Sequence, residues 1–197
     1  MDIDTLRQAI VDAFGEAWSL NDEAHRQTHF EEVFQTGLLI NERLALNFDP
    51  KLILFAAYFH DMFAWSRVNH HELSHTWMLT TDHPLIAENL EPHERRKVAV
   101  ACLQHRASFK KEFSSPFAQL INSADRELPG DVESMLQRAI QFRQKNNPGE
   151  SSEEMHIASI THLKEKFGHG GYARYPQMYL DCFAEELEFQ RDQIDRL

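Results

Sequence analysis

Six residues of this 197-residue chain have side chains that bind metals and sit where apolar helical runs end. His60-Asp61 closes the run Leu52-Ile53-Leu54-Phe55-Ala56-Ala57-Tyr58-Phe59, which reads as a buried helix. An ionised Asp there is costly unless it meets a proton, a base or a metal. His29 lies in Thr28-His29-Phe30-Glu31-Glu32-Val33-Phe34, whose apolar periodicity places it beside the core. His83 directly precedes the amphipathic Pro84–Leu90 stretch, His105 follows Val98-Ala99-Val100-Ala101-Cys102-Leu103-Gln104, and Asp125 follows Leu120-Ile121-Asn122-Ser123-Ala124. Neutral imidazoles with two carboxylates suit Fe, Mn, Co, Ni or Zn, whereas Ca and Mg prefer all-oxygen sites. The chain has 12 histidines and a net charge of −11, and metal ligation is one explanation for so many imidazoles in an acidic protein.

Those residues must be delivered by helices. Only 7 glycines are present, alternating strand patterns are nearly absent, and apolar residues recur at helical spacing. Pro50, Pro92, Pro116 and Pro176 each stand at a plausible first helical position. The pattern predicts helices over 3–18, 25–46, 50–63, 71–80, 84–90, 92–106, 116–126, 131–146, 151–167 and 176–194, an all-α bundle. Residues 1–130 form the expected catalytic domain, with its core at about 25–126. The breaker Asn146-Asn147-Pro148-Gly149 lies within a C-terminal helical extension, 131–197, expected to pack on the same domain or on a partner subunit in a homo-oligomer.

The ordered set His29…His60-Asp61…Asp125 resembles the signature of the HD superfamily of helical, metal-dependent phosphohydrolases. Ala124-Asp125-Arg126 looks like that family's final Asp motif. The additional His83 and His105 resemble its binuclear branch, which includes bacterial symmetrical diadenosine tetraphosphate hydrolases. Tyr58-Phe59-His60-Asp61 with Asn69-His70-His71-Glu72-Leu73-Ser74 is also similar to a group of predicted HD phosphohydrolases. The resemblance spans roughly residues 25–126, about half the chain.

It implies one or two divalent transition-metal ions. His29, His60 and Asp125 would hold one ion and His83 with His105 the other. Asp61 would bridge them, because adjacent residues on a helix splay by about 100°. Two divalent ions against two carboxylates leave a net charge of about +2, enough to acidify a bridging water and clamp phosphate oxygens. A metal-bound hydroxide would attack phosphorus, with Glu72 or His71 protonating the leaving oxygen. His71-Glu72-Leu73-Ser74 also fits the family's third-His pattern, so His71 or Glu72 rivals His83 as a ligand. His70, His71 and His75 otherwise read as a solvated helix start, and His71 with His75 at i, i+4 offers a second metal-binding pair. A small branch of the superfamily activates O₂ at a di-iron centre to cleave C–C or C–P bonds, which is the alternative reading.

The expected substrate is a small phosphorylated molecule, a nucleotide. Arg106, Lys110, Lys111 and Arg126 follow the ligands closely and are candidates for phosphate recognition, and Trp65 for stacking on a base. Tyr172, Arg174 and Tyr175 follow a Gly-rich loop and could form a lid. His25, His93, His156, His162 and His169 read as surface or capping residues. The acidic charge argues against sequence-independent nucleic-acid binding. No run approaches a membrane span, and the acidic, amphipathic start suggests a cytoplasmic protein. Cys102 and Cys182 are expected to be thiols.

Overall fold

The computed structural model describes residues 2–22 and 25–197; Met1, Glu23 and Ala24 lie outside them. Among the described residues ten helices occur and no strand: α1 (Ile3–Trp18), α2 (Gln27–Arg43), α3 (Pro50–Phe59), α4 (His70–Thr80), α5 (Pro84–Ala87), α6 (Pro92–Gln104), α7 (Pro116–Ala124), α8 (Val132–Asn146), α9 (Ser152–Phe167) and α10 (Gln177–Arg196). None is long and apolar enough to cross a membrane.

Local chemistry sets the helix starts. Asp49 and Ser115 each accept a backbone N–H of the first turn, from Lys51 at 2.8 Å and Ala118 at 3.2 Å, and a proline follows each cap. Glu91 and Glu94 form a capping box around Pro92, and Ser151 and Glu154 form another before α9. The main departures from the sequence reading are early endings. α3 stops at Phe59 rather than near 63, and α5 is a single turn.

The chain divides into two compact units. The first holds Met1–Glu127 with Pro176–Cys182. Its axis is α3, where every residue from Leu52 to Phe59 is buried. α2, α6 and α7 pack against α3, and α4 packs on α6. Gly37 permits the close approach of α2, since a Cβ there would lie 2.7 Å from Ile53 Cγ2. Beneath the site, Phe14, Trp18, Phe30, Tyr58, Phe59 and Trp77 make a chain of edge, tilted and stacked ring contacts.

The second unit holds Leu128–Tyr175 and Phe183–Leu197 around Val132, Met135, Leu136, Leu163 and Ile194. The change of unit falls between Glu127 and Leu128, and the last helix is divided between the two units. Phe183 leaves helical geometry (φ −129°, ψ 24°), and the segment before it belongs to the first unit. There buried Tyr179 donates its hydroxyl to the Glu127 carbonyl at 2.5 Å. Both cysteines are free thiols.

Candidate metal centre

Three helices of the first unit end at one place. His60 is the C-cap of α3, His105 of α6 and Asp125 of α7. Helix C-termini carry unpaired carbonyls and partial negative charge, so their convergence favours a cation. It also makes a carboxylate such as Asp125 unfavourable there without one. The first turns of α2 and α4 add His29 and His70.

Two of the carbonyls near those helix ends orient the histidines. His60 Nδ1 lies 2.7 Å from the Ala57 carbonyl, and His105 Nδ1 lies 2.6 Å from the Cys102 carbonyl. A carbonyl oxygen only accepts, so each Nδ1 carries a hydrogen and each Nε2 is the atom turned to the interior, where a metal would take the place of any proton on it. This is the arrangement by which proteins present imidazole to a metal.

Around that interior the donor atoms form overlapping groups, two of which share Asp61, while His60, His105 and Asp125 make a third. In the first, His29 Nε2 lies 3.2 Å from His60 Nε2 and 3.2 Å from Asp125 Oδ1. His60 Nε2 is 3.5 Å from Asp125 Oδ1 and 3.6 Å from Asp61 Oδ2. In the second, Asp61 Oδ1 is 3.1 Å from His105 Nε2 and 3.2 Å from His70 Nε2, and those two nitrogens are 3.2 Å apart. Metal–ligand bonds of about 2.0–2.2 Å place neighbouring donors about 3.0–3.5 Å apart. Both groups therefore suit a first-row divalent ion, and Asp61 gives one oxygen to each. Asp61 Oδ1 is buried without a hydrogen-bond partner, an orphaned acceptor of the kind a cation would satisfy.

The electrostatics agree. Burial works against ionising Asp61, but the imidazoles of His60, His105 and His70 outweigh it and hold the carboxyl well below its ordinary range. Asp125 is held down in the same way, burial being overcome by His29 and His60. His60 is fully buried, which disfavours its charge, yet Asp61 and Asp125 raise it to about 9. Burial takes His70 the other way, to about 4, helped by the charges of His105 and Arg106. The two acids thus demand positive charge that the surrounding imidazoles supply only in part.

His29, His60, Asp61, His105 and Asp125 are thus brought together. His83 is not. Its ring caps α5, accepting the Leu85 N–H on Nδ1 at 3.3 Å, and packs on Phe14 at 4.6 Å between ring centroids. The place expected for His83 is taken by His70, not by its rivals His71 and Glu72. His71 is half-buried one position on, and Glu72 is exposed in the first turn of α4.

The other candidates are dispersed. Arg106 donates to the Val68 carbonyl at 3.1 Å and stands close enough to depress His70 and His71. Arg126 donates to Asn122 Oδ1 at 2.6 Å, while the Asn122 amide donates to the carbonyls of Gln104 and Arg106. Arg126 is thus engaged in holding the turn after His105. Lys110 and Lys111 are exposed, and Trp65 is 54% exposed on the turn after Asp61. Tyr172, Arg174 and Tyr175 belong to the second unit.

Besides His70, two residues near the centre escaped the sequence reading. Asn21 is 2% exposed; its amide donates to the Asp61 and His25 carbonyls, both at 3.0 Å, and its oxygen accepts the Trp65 N–H at 3.0 Å. His25, read as a surface residue, places Nε2 3.8 Å from Asp61 Oδ2. The spacing His25-x-x-x-His29 at the start of a helix was the available signal for the latter. No family model, curated protein or solved structure matches the chain.

Proposed function

We propose that this chain is a metal-dependent phosphohydrolase of the HD type, acting on a phosphoester or phosphoanhydride, with nucleotides as the substrate class. The observation that supports it most is the division of Asp61 between two imidazole groups, with His29, His60 and Asp125 on one side and His70 and His105 on the other. Two divalent ions held there would supply an acidified water and neutralise charge on phosphate oxygens.

The protein groups do the positioning. Ala57 and Cys102 carbonyls fix the rings of His60 and His105, and Asn21 ties the turn after Asp61 to the segment before α2. Arg106, beside His70 and His71, is the cation best placed to meet an anionic substrate on the His70–His105 side. Burial, with Arg106 and His105, lowers His71 below its ordinary value. That direction favours the neutral ring, which suits hydrogen bonding to a substrate oxygen better than protonating a leaving group.

Metal analysis of protein purified without chelator, followed by hydrolysis assays on an aryl phosphodiester and a nucleotide panel with Mn²⁺, Fe²⁺, Co²⁺ or Ni²⁺, tests the proposal. Metal-dependent hydrolysis that is lost in Asp61→Ala is expected. Bound metal with no hydrolysis of any phosphorylated compound would remove the phosphohydrolase assignment, and no bound metal would remove the centre itself.

A further inference from the structure

We infer that His25 is a further ligand of the centre, on the Asp61 Oδ2 side, held in place by Asp22; this rests on the metal reading above. His25 Nδ1 lies 2.5 Å from Asp22 Oδ1. An ionised carboxylate only accepts, so Nδ1 carries the hydrogen and Nε2 presents its lone pair. That atom is 3.8 Å from Asp61 Oδ2, within the range set by His60 at 3.6 Å and His29 at 4.0 Å from the same oxygen. A carboxylate behind the imidazole is the usual means of fixing a metal-binding ring.

The segment carrying His25 is anchored to the site from several directions. Asp22 Oδ2 accepts from Arg67, and Arg26 Nε donates to the Asn21 carbonyl at 3.2 Å. The buried Asn21 amide joins the His25 carbonyl to the Asp61 carbonyl. These ties hold His25 against the turn that carries Asp61, which a solvated surface residue would not require.

Including His25 makes the two halves of the centre unequal. With His25 added, the Oδ2 side would draw on His25, His29 and His60 around Asp61 Oδ2, with Asp125 beside His29 and His60. The Oδ1 side has three protein donors, from Asp61, His70 and His105. A nearly saturated ion is held tightly and is slow to take substrate, whereas three protein ligands leave positions open for water and phosphate. The Oδ1 side is therefore the one that meets substrate.

Titration of metal-depleted wild type, His25→Ala and Asp22→Asn with Co²⁺, followed by visible absorption and calorimetry, separates the outcomes. Wild type should bind in a tight and a weaker step. His25→Ala and Asp22→Asn should weaken the tight step, the latter by roughly 10–100-fold, and leave the weaker step in place. Melting of the metal-free proteins shows whether each variant is folded, and Asp22→Asn preserves side-chain size if His25→Ala is not. Tight steps unchanged in both variants would overturn the role of His25 while leaving the metal centre intact. A wild type that binds no Co²⁺ would overturn the underlying metal reading instead.

Discussion

His169 in the second unit and His60 in the first are each faced by carboxylates, at similar distances. His169 Nδ1 is 2.7 Å from Asp195, and its Nε2 is 3.1 Å from Glu188 and 3.7 Å from Asp192. His60 meets Asp125 at 3.5 Å and Asp61 at 3.6 Å. The difference is in what stands behind them. His169 is 42% exposed and uses both ring nitrogens on acids, so it has no lone pair to offer when protonated. His60 is fully buried, spends Nδ1 on a backbone carbonyl and aims Nε2 where other imidazoles also point. Carboxylates outnumber the imidazole around His169, whereas imidazoles outnumber carboxylates around His60; that balance, with burial, separates a candidate metal centre from a surface ion-pair network.

The largest effect that could break this comparison comes from Asp61→Ala. Removing the shared carboxylate takes a ligand from both halves, and metal content should collapse. The metal-free variant should be less stable than metal-free wild type, because it leaves the buried imidazoles of His60, His70 and His105 without the carboxylate they face. Thermal melts with and without Mn²⁺ check both points. Metal should raise the wild-type midpoint through preferential binding to the native state and leave the variant nearly unmoved. An equal shift in both proteins would mean that Asp61 is no ligand.

Next in size is the contrast between His70→Ala and His83→Ala. The first should abolish binding on the Asp61 Oδ1 side and reduce hydrolysis to background. The second should keep metal and activity and cost about 1 kcal/mol as a lost helix cap. Metal titration and denaturant melts of the pair measure this, and the reverse result would restore His83 to the centre.

That contrast also shows where the sequence was legible. Helix ends marked by apolar runs located His60, Asp61, His105 and Asp125, because a run that must be buried delivers its last residue to the interior. His70 follows no such run. Its direction depends on the tight turn over residues 60–69, where the His70 N–H bonds the Ser66 carbonyl at 3.0 Å and the Ser66 hydroxyl bonds Asn69 at 2.6 Å. A shift of one residue along α4 rotates a side chain by about 100°, which exchanges His70 for His71. Sequence periodicity does not resolve a helix start that finely. His83 misled for a related reason. A His before Pro84 fits a ligand at a helix start and a helix cap equally well, and only the Leu85 N–H on its ring distinguishes them. The fold class was legible throughout, since ten helical patterns in the sequence correspond to ten helices among the described residues.

A smaller effect tests whether packing maintains the site. In Gly37→Ala the new methyl would lie 2.7 Å from Ile53 Cγ2, inside a core where Ile53 is fully buried. Overpacking costs about 1–3 kcal/mol, partly offset by the higher helix propensity of Ala. The expected net loss is about 1–2 kcal/mol. Because α2 carries His29 and α3 carries His60, wedging them apart should also weaken metal binding. Stability and Co²⁺ affinity measured on one preparation check the coupling; a loss of stability with unchanged affinity would show that the centre tolerates movement of α2.

The smallest effect concerns the surface cluster. Asp195 and Glu188 raise His169 above its ordinary value of 6.5. A raised folded-state value means that the contribution to stability is fully present below pH 6.5 and is lost as pH rises through the folded value. His169→Gln should remove that part of the pH dependence and leave metal content unchanged. Because the ring is exposed, salt should screen the interaction, so the difference between wild type and variant should shrink between low and high ionic strength. Imidazole titration by NMR gives the direct measurement: His169 should titrate above 6.5 at low salt and return towards it in high salt. A value at or below 6.5 at low salt would mean that the three carboxylates do not act on the ring. A loss of bound metal in His169→Gln would erase the distinction between the two clusters, because exposure would then be no bar to a role in the centre.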